Sequence, residues 1–260
     1  MRRLRRLPTA DMSSTDAITG PGGIDWREVI DRASALGSRV SGDGRADFET
    51  LARELGAAAT TRSLLTELLR DERFLARVAE QSFHHTNHFD KIVFLADGDA
   101  GAMRLALNLW RPPFTTSEVA DEQIHDHRCE FWSTILFGTL RSEEFERNTG
   151  GETYEEVRYR AAASLSGAKR NEYRPIGPVG LRRTRHVVHR AGTTYHLARR
   201  QIHRIVISDE PTATLLLRGP YETEKTSLFT TEEPCEDVEL PALGLERLRD
   251  DIEFVLARIA

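Results

Sequence analysis

The stretch that decides the fold is Ile124-His125-Asp126-His127, continuing as Arg128-Cys129-Glu130-Phe131-Trp132-Ser133-Thr134-Ile135-Leu136-Phe137-Gly138. It reads as the entry into an apolar strand. Residues two apart in a strand point to the same face, so His125 and His127 project side by side into one interior. Each imidazole brings two ring nitrogens that need partners when buried. A metal ion satisfies both rings at once, and imidazole is the commonest metal ligand. The same alternation turns Cys129, Phe131, Ser133 and Ile135 inward. It turns Glu130 away unless a bulge intervenes.

Working outward, residues 91–110 (KIVFLADGDAGAMRLALNLW) read as two strands around a Gly/Asp turn. DGDAG at 97–101 lacks the further oxygen ligands of a calcium loop and reads as a plain turn. More strands follow at 130–146, 152–161, 180–189, 192–197, 201–208 and 212–219, most of them parted by Gly, Pro or Asp. Many short strands at this spacing indicate an antiparallel sandwich or barrel. Before them, residues 24–88 are helical. Asp25 caps a helix with Trp26, Val29, Ile30, Ala33 and Leu36 at helical spacing, and SGDG at 41–44 breaks it. Asp47 caps a second with Phe48, Leu51, Ala52 and Leu55. A third runs from Leu64 through Leu68 and Phe74 to Val78. Residues 243–260 form a last helix with Leu245, Leu248, Ile252, Val255 and Ile259 on one stripe. That stripe serves either docking on the barrel or a homodimer contact. The expected organisation is therefore a tail at 1–23, a helical segment at 24–88, a β-barrel at 89–242 and a C-terminal helix at 243–260. Met12 is an alternative start.

Composition narrows the function. A formal charge of −5 over 260 residues gives no global reason to expect nucleic-acid or membrane binding. No 18-residue apolar run exists, and the basic N-terminus MRRLRR is not followed by a signal-peptide core. Two cysteines, Cys129 and Cys235, are too few for a disulfide framework and point to a reducing, cytoplasmic setting. The chain has no P-loop, dinucleotide fingerprint or GxSxG elbow.

His125-x-His127 followed by Gly138 resembles the first motif of the cupin superfamily, HxH-(x)3–4-E-(x)6-G. The usual ligand Glu falls at Phe131, with Glu130 one residue early, so the resemblance implies a three-histidine site. AGTTYHLARRQIHRIVIS at 191–208 resembles the second motif. It offers His203 as the third ligand, with His196 as its rival. Within the cupins, RLALNLW (104–110), IHDH (124–127) and IHRIVISDEPTATLLLRGPY (202–221) resemble the cysteine dioxygenase type. That similarity spans roughly residues 89–221. It implies a mainly β, jelly-roll barrel holding Fe(II) on His125, His127 and His203, with O2 as co-substrate and a small polar substrate such as an amino acid or thiol.

The chain departs from that family where its Ser-His-Tyr relay would stand. Those positions here are Thr214, Leu216 and Arg218, and Cys129 is not at the family's cysteine spacing. The family's carboxylate-binding Arg corresponds to the neighbourhood of Lys91. Arg218 on an inner strand can grip a carboxylate bidentately or sit at the rim, and Lys91 is read in the same two ways. Tyr195 can donate to bound oxygen or simply pack. Cys129 can meet substrate or remain an inert thiol. Other readings of the same fold are an isomerase or lyase using Zn, Ni or Mn, and a non-catalytic binding cupin. HHTNH at 84–88 lies on a loop without rigid geometry. His186 and His189, three apart, point to opposite faces.

Overall fold

A computed structural model describes residues 25–37, 45–96, 103–120, 123–163, 169–221, 225–231 and 239–259. The expected tail at 1–23 with Met12, the SGDG break, the DGDAG turn and Cys235 lie outside the described residues. Helix α1 spans Trp26–Gly37, and the Asp25 carboxylate accepts the Glu28 N–H at 2.8 Å, as a capping aspartate should. Helix α2, Arg45–Leu55, begins three residues before the start expected at Phe48, which puts Asp47 in its first turn rather than at its cap. The single third helix expected from the apolar spacing is two: α3, Ala58–Arg70, and α4, Glu72–Gln81. Asp71 divides them. It adopts an extended backbone (φ −101°, ψ 91°), and its carboxylate accepts the N–H groups of Arg73 and Phe74, each at 3.0 Å. A capping aspartate thus overrides an apolar period that runs on unbroken.

The strands are β1 (Phe83–His84), β2 (Asp90–Leu95), β3 (Arg104–Trp110), β4 (Ile124–His125), β5 (Phe131–Phe137), β6 (Thr139–Ala163), β7 (Lys169–Arg190), β8 (Thr194–Leu197), β9 (Ile202–Val206), β10 (Thr212–Arg218), β11 (Thr226–Thr230) and β12 (Glu239–Leu240). A short helix α5 (Thr116–Ala120) precedes β4, and α6 (Leu245–Leu256) follows β12. All strand pairs are antiparallel. One sheet has the order β1-β2-β3-β10-β5-β8, the other β11-β4-β9-β6-β7-β12, with β11 also paired to β6. This is the mainly β, two-sheet antiparallel architecture, with helices before and after the strands, that the sequence implied.

Two strand expectations need correction. The run 130–146 is broken at Gly138, which has φ +77° and whose absent Cβ would meet the Pro211 carbonyl oxygen at 2.3 Å. The stretch from His125 to Ile135 is not one strand either. β4 ends at His125 and β5 starts at Phe131, so period-two counting does not carry across residues 126–130.

The first sheet is covered on both sides. Ile92, Phe94, Leu105, Leu107, Leu109, Trp132, Leu215 and Leu217 share one core with Leu51, Leu55, Leu65, Leu68 and Val78 of the helices. Burying each such side chain contributes about 1.5–3 kcal/mol. Phe48 stacks on Trp132 at 5.0 Å, and Gly56 lets the α2–α3 turn approach Thr134 so closely that a Cβ would lie 2.4 Å from it. Helix α6 spends its stripe within the chain: Leu248, Ile252 and Val255 are buried in that same core, against α3 and α4. It packs on the helical layer and also reaches the strands, with Phe254 beside Phe137 of β5. Arg247 and Asp251 tie it to Asp90 of β2, where Arg247 donates to the Asp90 carboxylate at 2.7–3.0 Å.

Candidate metal centre

Strands β4 and β9 pair so that His125 and His203 lie directly opposite each other. His127 follows β4 in the turn toward β5. Ligand-capable atoms of His125, His127 and His203 all lie within 4.8 Å of one another, the one such group among the described residues. Nε2 of His127 stands 2.9 Å from Nε2 of His203. Two imidazoles bound at right angles to one metal, each at 2.0–2.1 Å, would place their nitrogens about 3 Å apart. The His125 ring is oriented by its Nδ1–H, which donates to the Gln123 carbonyl at 2.9 Å and leaves Nε2 for the centre. Burial lowers the pKa of all three, and of His127 and His203 well below the ordinary value. Neutral imidazole is the form that coordinates. The donor set therefore fits a metal ion.

The two rivals for the coordination sphere are elsewhere and occupied with each other. Nε2 of His196 lies 3.0 Å from the Glu130 carboxylate, which also pairs with Arg45 at 2.9 Å. His196 sits opposite Trp132 on the helix-covered face.

Asp126, between the two ligands, points the other way. Its carboxylate accepts from the Thr226 hydroxyl at 2.6 Å, the Ser227 N–H at 2.7 Å and Arg200 at 2.9 Å. Its own N–H donates to the Ser227 carbonyl at 3.0 Å. The histidine pair is so pinned to β11, a strand that sequence reading missed although TSLFT at 226–230 alternates. On the outer side this network opens into a cavity of about 290 Å³ lined by Arg147, Glu156, Arg158 and Arg200.

The remaining expected site residues share the barrel interior. Lys91 opposes Asn108, which opposes Thr214. Arg218 opposes both Arg104 and Phe131. The Arg218 guanidinium stacks over Tyr221 at 3.9 Å and hydrogen-bonds the Cys129 thiol. Burial raises that thiol's pKa, while Arg218 works against the rise. The Lys91 amine is brought down to about 7 by burial and by the charges of Arg104 and Arg218. Its own charge is felt by His125 and His127. Tyr195 opposes Ser133 and stacks on His189 at 4.1 Å, and burial pushes its hydroxyl up to about 12. Phe131 touches both Tyr195 and His127 edge on. Two further residues were not singled out from the sequence. His85, from the loop that looked too irregular for a role, stacks on Phe89 at 4.5 Å and lies close enough to His127 to depress it. Arg104 joins the interior from β3. His186 is exposed and takes no part.

No protein-family model and no curated protein matches the chain. Among solved structures, similarity is to structures of DMSP lyases (13% identity, TM-score 0.30, 53% of this chain and 51% of the other). It extends to Bacillus subtilis oxalate decarboxylase with Mn(II) (13%, 0.31, 57% and 30%). A hydroquinone 1,2-dioxygenase with Cd2+ is also similar (14%, 0.23, 45% and 59%). The chain thus spans about half of the lyase chain and under a third of the decarboxylase chain. No helix among the described residues is long and apolar enough to cross a membrane.

Proposed function

We propose that this chain is a mononuclear non-haem iron(II) oxygenase of dioxygenase type, acting with O2 on a small polar substrate. The observation that carries it is the convergence of three imidazoles, two buried and His127 half-buried, with Glu130 tied away. Iron bound there would supply a redox-active Lewis acid with positions left for substrate and O2. The Gln123 carbonyl and the Asp126 network hold the ligand rings in place. Arg218 and Lys91 orient an anionic group of the substrate, with Cys129 beside them. Tyr195 keeps its proton and is a donor at the far side of Phe131. The apolar rings of Phe131, Phe89 and Trp110 exclude water.

Metal analysis of the purified protein should give about one iron per chain, and His203→Ala should lose it while still folding. Oxygen uptake with Fe(II) in a screen of amino acids, thiols and related acids should then identify the substrate. Iron retention by His203→Ala would refute the site. A bound metal with no oxygen uptake on any turned-over substrate would move the reading to a metal-dependent isomerase or lyase.

A further inference from the structure

The cavity of about 290 Å³ on the outer side of the Asp126 network is lined by two carboxylates, Asp126 and Glu156, and three guanidiniums, Arg147, Arg158 and Arg200. The carboxylates are buried and their oxygens are already engaged. Asp126 accepts from Thr226, Ser227 and Arg200, while Glu156 accepts the Ser227 hydroxyl at 2.7 Å and Arg147 at 2.9 Å. The guanidiniums lie further out. The side chains of Arg147 and Arg200 are 49% and 44% exposed, against 8% and 5% for the carboxylates they pair with. Each gives its carboxylate one of the five N–H donors a guanidinium carries, so these ion pairs leave most of the donors over. Arg158 is exposed, and no hydrogen bond or ion pair engages it among the described residues. It stands directly opposite Arg174 across the β6–β7 ladder, and like charges so placed repel. The lining thus holds one more cation than anion, and Arg174 adds a second beside it.

We infer that this cavity binds a phosphoryl group, as free phosphate or on a small molecule, with its oxygens held by Arg147, Arg158 and Arg200. Three guanidiniums on one cavity suit an oxyanion with three terminal oxygens better than a carboxylate with two. A phosphate monoester carries about −1.5 to −2 at pH 7, which offsets the surplus of cations. Liquid water takes about 30 Å³ per molecule, so the space admits a phosphate with a small group attached. Two of the three arginines are placed in advance, which lowers the cost of binding. Arg147 lies over the Phe229 ring at 5.2 Å, and the Arg200 backbone N–H donates to the His127 carbonyl at 3.3 Å. Asp126 and Ser227 line the cavity from the face of their strands opposite the imidazoles, so this ligand is not the substrate of the three-histidine centre.

The test is calorimetric titration of inorganic phosphate and, separately, of glycerol phosphate into the metal-free full chain, with ionic strength held constant by chloride. Metal-free protein removes any phosphate that a metal ion would bind, so the outcome does not depend on the proposed iron site. Phosphate should bind at about one per chain. Tighter binding of inorganic phosphate assigns the site to the free anion, and tighter binding of glycerol phosphate assigns it to a phosphorylated small molecule. Arg158→Gln should weaken the tighter ligand by about tenfold, since it removes one charge-assisted contact. Its exposed position leaves the fold intact, which the unfolding temperature without phosphate checks. Failure of the wild-type chain to bind either ligand would overturn the inference. Affinities unchanged in both Arg158→Gln and Arg147→Gln would overturn it as well. The wild-type titrations stand by themselves, so a variant that fails to fold does not blunt the test.

Discussion

The two faces of the first sheet are built from alternate residues of the same strands, and they share almost no chemistry. Leu215 and Leu217 of β10 face the helices in a continuous apolar core, while Thr214 and Arg218 lie on the opposite face of the sheet. On β5, Trp132 stacks under Phe48, whereas Phe131 meets His127. Residue parity divides stability from chemistry. An interior face with buried, unsatisfied side-chain oxygens, such as Asn108 Oδ1 and Thr214 Oγ1, lowers stability. The covered face offsets this with hydrocarbon burial on the other side of the same backbone. The burial record alone hides the division, because β5 and β10 are buried at every position.

The comparison is broken most severely on the apolar side. Leu217→Ala should cost about 2–5 kcal/mol in urea unfolding and leave metal per folded chain unchanged. Loss of metal with little loss of stability would mean the faces are not separable. Next in size, Asp126→Asn should weaken metal binding by about 10–100-fold in competition with a chromophoric chelator. Unchanged affinity would show that the β11 network does not position the ligands.

A smaller, pH-dependent effect lies at the junction of the sheet with α6. Burial, then the charge of Asp90, pushes Asp251 up to about 7, while His84 and Arg247 hold Asp90 low against its own burial. Asp251 binds its proton more tightly in the native state than the ordinary value of 3.8 allows. Its stabilising contribution is therefore full below about pH 4 and is lost as pH rises through 7. Asp251→Asn should flatten the fall in Tm between pH 5 and 8 and raise Tm at pH 8. A parallel profile in the variant would place the titration elsewhere. Smallest of all, Glu130→Gln should change stability by about 0–1 kcal/mol and metal content not at all, since its partner Arg45 is largely exposed.

The sequence made legible what depends on local spacing. HxH and the resemblance of 191–208 to a second motif pointed to His125, His127 and His203, and the fold brings these three side chains together. The helices were found from their apolar period, except at Asp71, where a single carboxylate competing for two backbone N–H groups ends a helix that the period continues. What stayed hidden depends on register between distant strands. Nothing local to Arg104 says that it opposes Arg218, and nothing local to Asp126 says that its carboxylate meets Thr226. His85 was set aside for its loop context, yet it is stacked on Phe89 and held in place, with its Nδ1 accepting the Asn87 N–H at 3.1 Å.

The Asp126–Thr226 bond closes a span of 100 residues, and His127 meets His203 across 76. Contacts of such separation form late, because chain entropy must be spent before they reward it. A nascent chain stalled before β11 would hold His125 and His127 without the strand that fixes the Asp126 between them. On the proposed metal reading, acquisition of the ion would be coupled to completion of the fold, because the three histidines converge only after nearly the whole barrel has been made. Loading then reports folding, and a chain truncated before residue 226 should leave the ribosome metal-free.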